Sequence, residues 1–186
     1  MKIVIAPDSF KGSLTATEAA DAIEIGFRAV YPDAEYVKVP MADGGEGTVQ
    51  SLVDATSGTI INQKVEGPMG DMVAGFFGIL GNSQTAVIEM AKASGLTVVG
   101  GSDFNKPLEA TSTGTGELIR CAVEQGAQRL IIGLGGSAST DGGFGALKAM
   151  GSLARYKGIE IVAACDVQTD FISAAETFSP QKGATS

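Results

Sequence analysis

Apolar and polar positions alternate between two rhythms along this chain. Lys2-Ile3-Val4-Ile5-Ala6, closed by Pro7, predicts a buried first strand. After the loop Asp8-Ser9-Phe10-Lys11-Gly12-Ser13, Thr15 and Glu18 have the spacing of a capping box. Ala19, Ile23, Phe27 and Val30 then mark one helical face, which Pro32 ends. Glu35 to Val39 alternates as a strand. The loop Pro40-Met41-Ala42-Asp43-Gly44-Gly45-Glu46-Gly47 opens a second helix with Val49, Leu52, Val53 and Thr56 on its buried side and Gly58 at its end. This βαβα order is that of a parallel sheet.

The rhythm then changes. Thr59 to Val65, Val73 to Leu80 and Thr85 to Glu89 are strand-like runs separated only by glycine-rich turns, which predicts an antiparallel insertion or meander. Gly95 to Pro107 reads as irregular, with a flexible connection near Gly100-Gly101-Ser102. A helix is expected from about Glu117 to Gln125, with Leu118, Ile119, Ala122 and Val123 on its face. The apolar run Leu130-Ile131-Ile132 enters the glycine-dense turn Gly133-Leu134-Gly135-Gly136-Ser137-Ala138-Ser139-Thr140-Asp141-Gly142-Gly143. A helix from Phe144 to Met150 follows, and then a strand from Ile159 to Ala164 leading into Cys165-Asp166.

The glycine-dense turn is the strongest chemical signal. Glycines between strand and helix let backbone N–H groups approach an anion, and the helix N-terminus adds positive potential. Ser137, Ser139 and Thr140 can donate hydrogen bonds, and Asp141 can hold a metal or accept a proton. The alternative is a turn that is glycine-rich only for packing. Asp8, Asp43, the Gly135–Asp141 turn and Asp166 follow four expected parallel strands, so their loops are expected to share one cleft. Several carboxylates there would repel one another without a cation or lysine; Lys11 and Lys182 supply charge, and a Mg2+–phosphate site resolves the remainder. Each has a plainer reading. Asp8 caps a turn, Lys11 is a solvated lysine, and Asp43 and Glu46 form the acidic first turn of a helix. Thr113 and Thr115 are N-caps, and Asp166 is a strand-end acid.

Composition narrows the choice. The 186 residues carry a net charge of −8, which argues against a nucleic-acid surface, and no apolar run reaches membrane-spanning length. The short apolar N-terminus is not expected to act as a signal peptide, and a cytoplasmic location is expected. With no histidine, acid–base work falls to Asp, Glu, Lys, Cys or Tyr. Cys121 and Cys165 stand far apart without a CxxC spacing, suggesting buried or free thiols. No Gly-Lys dipeptide occurs, so there is no Walker A loop. Thr113-Gly114-Thr115-Gly116-Glu117-Leu118-Ile119 lacks the third glycine of a dinucleotide fingerprint.

Five stretches carry a family resemblance: Pro7–Thr15, Ala42–Thr48, Thr111–Ile119, Gly133–Gly143 and Pro180-Gln181-Lys182-Gly183-Ala184. Together they closely resemble the bacterial type I (two-domain) glycerate kinase family, in order and over nearly all of Met1 to Met150. The resemblance implies ATP-dependent phosphorylation of D-glycerate, favouring 2-phosphoglycerate, with Mg2+ as cofactor and the site between two α/β domains. Lys11 would neutralise the substrate carboxylate or the transferring phosphoryl group. Gly135 and Gly136 amides and the Ser137 hydroxyl would cradle nucleotide phosphates. Of Asp43 and Asp141, one would hold Mg2+ and the other take the hydroxyl proton, with Asp141 favoured as base. Asp8, Ser9, Glu46, Thr113, Ser139 and Lys182 are further candidates for substrate or phosphate, and Asp166 for the metal.

The expected fold is therefore α/β. It has a three-layer parallel or mixed sheet with helices on both faces, two domains (1–80 and 81–186) and an antiparallel insertion. A monomer or homodimer is expected. The family is about twice as long, and Gly151–Gly158 and the residues after Asp166 depart from its pattern. The chain is thus expected to be a fragment, or a sequence joined across omitted loops. A non-catalytic nucleotide- or sugar-acid-binding module is the competing function, and a kinase for another small hydroxy acid a third.

Overall fold

The computed structural model describes residues 1–8, 10, 13–41, 45–165 and 167–184. Strands β1 (Lys2–Ile5) and β2 (Glu35–Lys38) pair in parallel, with helix α1 (Ala16–Arg28) as their crossover. The capping box forms: Glu18 N–H donates to the Thr15 hydroxyl at 3.2 Å, and Thr15 N–H donates to the Glu18 carboxylate at 2.9 Å. Among the described residues this pair of strands forms a sheet separate from the main one. The expected burial of β1 holds only at Ile5, while Val4 is 59% exposed. The apolar face of α1 is likewise open at Phe27, for the same reason: no second layer of described residues covers it.

The main sheet comprises β3 (Thr59–Glu66), β4 (Met72–Ile79), β5 (Thr85–Glu89), β6 (Arg129–Gly133) and β7 (Glu160–Ala164), side by side in chain order. The first three form the expected antiparallel meander, and β5, β6 and β7 run parallel. At the β4–β5 turn the Asn82 side chain accepts from the Gln84 and Thr85 amides at 3.1 and 2.9 Å, the bonding that suits asparagine to turns. The boundary expected after residue 80 falls in this turn, between two strands that pair.

Alternation along the strands splits the core into two. Phe77, Ala86, Ile88, Leu130 and Ile132 pack on one face with Leu118, Ile119 and Ala122 of α4 (Thr113–Glu124). Phe76, Val87 and Ile131 point the other way, onto Val49 and Val53 of α2 (Thr48–Thr56). The result is a three-layer α/β arrangement with a mixed sheet. The short Gly151–Gly158 segment, between α5 (Phe144–Met150) and β7, buries Tyr156 in the first core.

Three local expectations are corrected. Helix α4 begins at Thr113, four residues earlier than its apolar pattern indicates. Gly114 and Gly116 read as loop residues, yet each sits where a Cβ would collide with a carbonyl oxygen, of Glu66 and Ala146 respectively. Each glycine costs the helix about 1 kcal/mol, whereas burying Leu118 and Ile119 contributes roughly 1.5–3 kcal/mol apiece. Packing wins. At the end of α2 the left-handed residue is Ser57 (φ 55°), and Gly58 is needed because the Ile79 carbonyl lies against it. Helix α6 (Phe171–Phe178) stands where the sequence pattern predicts no element, and Asp170 caps it by accepting from Ser173 N–H at 2.8 Å. Among the described residues no helix is long and apolar enough to cross a membrane.

Candidate functional site

Beyond Gly133, at the carboxyl end of β6, the chain turns through left-handed glycines at 136, 142 and 143 before α5 begins. Gly135 and Gly136 are exposed and Ser137 is half-buried. The loop is fixed from within by Asp141. Its Oδ2 accepts from Ser112 N–H (2.9 Å), the Ser112 hydroxyl (2.7 Å) and Gly145 N–H (3.0 Å). Its Oδ1 accepts from Gly143 N–H (3.0 Å) and the Ser139 hydroxyl (3.2 Å). Burial pushes the Asp141 carboxyl up, but the Ser112, Gly145 and Gly143 donors outweigh it and hold the group below the usual carboxylate range. Such a group is built to stay ionised.

Ser112 itself explains why α4 lacks a side-chain cap. Its hydroxyl is spent on Asp141 and accepts from Ala146 N–H at 2.9 Å, so it braces α5 instead of its own helix. Thr113 opens α4 and shares a 2.7 Å hydrogen bond with the Thr111 hydroxyl. Thr115 is buried inside the helix, not at its cap, and donates to the Ser94 hydroxyl at 2.9 Å.

From the far end of the chain, Lys182 reaches the same loop, its Nζ donating to the Ser139 carbonyl at 2.6 Å. Burial lowers its amine, and the Asp141 charge offsets this only in part. Asn105 locks the two segments together, donating from Nδ2 to the Ala138 and Lys182 carbonyls, both at 2.9 Å. Asn105 and Ser112 were not singled out from sequence. The three adjacent hydroxyls at 111–113 were a usable signal for Ser112; an isolated asparagine at 105 offered none.

Of the remaining candidates, Asp8 and Glu46 are among the described residues. Asp8 is exposed after β1. Glu46 lies on the rim of a cleft of about 490 Å³ between Phe10, Ser13 and Leu14 on one side and Gly47, Gln50 and Ser51 on the other. Glu46 pairs with Lys92 at 3.0 Å. Neither the glycine loop nor Lys182 lines this cleft. Ser9, Lys11, Asp43 and Asp166 lie outside the described residues. Among those described, no group of three acidic, cysteine or histidine side chains is placed to hold a metal ion. Cys121 is half-buried and Cys165 exposed, both as free thiols.

A family model described as the glycerate kinase family matches residues 3–155. The chain is 50% identical to glycerate kinase of Bacillus subtilis (strain 168) over 216 aligned residues, covering 100% of this chain and 56% of the relative. It is 46% identical to glycerate 2-kinase of Escherichia coli (strain K12), with 100% and 56% covered. A crystal structure described as a glycerate kinase 2 from Salmonella typhimurium LT2 matches at a TM-score of 0.87 and 46% identity, with 100% of this chain and 58% of that one covered. The chain thus spans about half the length of the relatives it matches. An alignment of 216 positions to 186 residues also means that those relatives carry segments this chain lacks. The match over most of the chain, and the meeting of three of its motifs at the Ser139–Asp141 turn, lead to one assignment: the chain belongs to the glycerate kinase family.

Proposed function

We propose that this protein phosphorylates D-glycerate with ATP, giving 2-phosphoglycerate. The carrying observation is that Ser112, Asp141 and Lys182, from three separate motifs, fix one exposed glycine loop at a strand's carboxyl end. Such a loop suits phosphates through the Gly135 and Gly136 amides and the Ser137 hydroxyl. Lys11 would counter the substrate carboxylate or the transferring phosphoryl charge. The substrate follows from the relatives' names, of which one specifies the 2-kinase. Mg2+ belongs to the proposal as the usual companion of ATP, with Asp166 as the candidate to hold it.

The five donors on Asp141 argue for an ionised anchor over a proton acceptor, because protonation would displace donors that a carboxylate alone can satisfy. Of the two aspartates, Asp43 is then the better candidate base. Half-length coverage supports a second reading, a binding module without turnover.

ADP release and phosphorus NMR of the product, with D-glycerate, L-glycerate or no acceptor, separate the two. D-glycerate-dependent ADP with 2-phosphoglycerate, abolished by Lys11→Met, supports the kinase. Thermal stabilisation by nucleotide without ADP release supports the binding module.

A further inference from the structure

One short corner of the chain, Glu89–Leu96, touches three motif loops. Here β5 turns into α3 (Ala91–Ser94). Met90 N–H donates to the Gly133 carbonyl at 3.0 Å, and Leu96 N–H to the Gly136 carbonyl at 2.9 Å. The Ser94 carbonyl accepts from Ala138 N–H at 2.9 Å, and its hydroxyl accepts from Thr115. On the other side, Glu89 Oε1 accepts from Val49 N–H at 2.8 Å, and Lys92 Nζ pairs with Glu46 at 3.0 Å.

Glu89 is the unexpected member. It is 1% exposed, and among the described residues its Oε2 has no hydrogen-bond partner; Lys92 Nζ is 4.0 Å away. Helix α2 has no side-chain cap of its own, since its N-cap is Gly47 in the left-handed conformation. Glu89 therefore supplies the cap from another element, at the end where the helix dipole favours a negative charge. A buried carboxylate with one oxygen unused is poor for stability, and an apolar side chain of similar volume would serve the core better. What that side chain could not supply is a fixed distance between the end of β5 and the first turn of α2.

We propose that Glu89 is a positioning residue: together with Lys92 it sets the Gly45–Val49 turn against the glycine loop, so that acceptor and nucleotide are presented to each other. This rests on the kinase reading above. On that reading Glu46 is a candidate contact for the acceptor, so Glu89 would act on the acceptor side through 45–49, while Met90, Ser94 and Leu96 hold the glycine loop for the nucleotide.

The test is a set of variants in the full chain. In Glu89→Leu the KM for D-glycerate is expected to rise about tenfold with the KM for ATP within about twofold, and Glu89→Gln, which keeps an acceptor for Val49 N–H, to restore most of it. Lys92→Met should raise the same KM about threefold, as suits a more solvated pair. Val49 amide exchange should accelerate about tenfold in Glu89→Leu while Ile88 exchange does not. Equal rises in both KM values, or none, overturn the proposal. If Glu89→Leu does not fold, the selective KM change in Lys92→Met decides. A parent chain with no D-glycerate-dependent ADP overturns the kinase reading alone, and Val49 exchange then judges the tie.

Discussion

Ser112 and Asp141, 29 residues apart in sequence, share two hydrogen bonds onto a single carboxylate oxygen, at 2.9 and 2.7 Å. The start of α4 and the turn before α5 are thereby one unit. A change at either residue releases both.

Asp141→Asn should destabilise the protein by about 2 kcal/mol at neutral pH, the scale of losing hydrogen bonds to a charged acceptor. The folded pKa lies below the unfolded value of about 3.9. The native state thus keeps the carboxylate ionised where the unfolded chain begins to bind a proton. Stability from this group is full above the unfolded pKa and disappears as pH falls through the folded one. Urea midpoints at pH 3, 4, 5 and 7 should show a steeper acid loss in the parent than in the variant. Because the loop loosens, lost turnover in Asp141→Asn would not by itself identify a base.

Two glycines make opposite predictions. Gly26, within the exposed part of α1, has nothing within 4 Å of an added Cβ, so Gly26→Ala should stabilise by about 0.5–1 kcal/mol. At Gly116 the Cβ would meet the Ala146 carbonyl, and Gly116→Ala should destabilise by about 2 kcal/mol. Melting temperatures shifted in the same direction would contradict the packing of α4 on α5.

Asn105→Ala should cost about 2 kcal/mol, since it orphans the Ala138 and Lys182 carbonyls. Nitrogen-15 lysine NMR should find Lys182 titrating below an ordinary lysine. Its pKa should fall further in Asp141→Asn, because the Asp141 charge is what partly holds it up.

Burial raises the Glu89 pKa, the Val49 N–H and the Lys92 charge offsetting this only in part. The native state therefore binds this proton more readily than the unfolded chain does. The associated stability is present below the unfolded pKa of about 4.3 and declines as pH rises through the folded one. Glu89→Gln should abolish that decline, so its stability relative to the parent should improve between pH 4 and pH 7. An unchanged difference across that range would contradict the burial of Glu89.

Much of this was legible in the residues. Thr15 and Glu18 announced α1, the run Thr85–Glu89 is β5, and Phe144–Met150 is α5 as read. These signals are local: a cap, an alternation, a flanking glycine. What was not legible is non-local. Gly114 and Gly116 look like loop residues until β3 and α5 are known to press against them. Glu89 closes an apolar strand and gives no sign that its partner is a backbone amide 40 residues away. The glycine loop was recognised as a candidate site from its composition, while the aspartate within it turns out to be enclosed by its own neighbours.

The sheet's strands stand in the order in which they occur along the chain, and this bears on how the protein acquires its shape. The β3–β4 hairpin aligns eight residue pairs across a short turn, and β5 joins its edge through another. Closing short loops costs little chain entropy, so this antiparallel half can assemble as soon as residues 59–89 are available. The parallel strands come later, each waiting for an intervening helix. During synthesis a chain would carry a finished template with Glu89 at its growing edge before the glycine loop had been made.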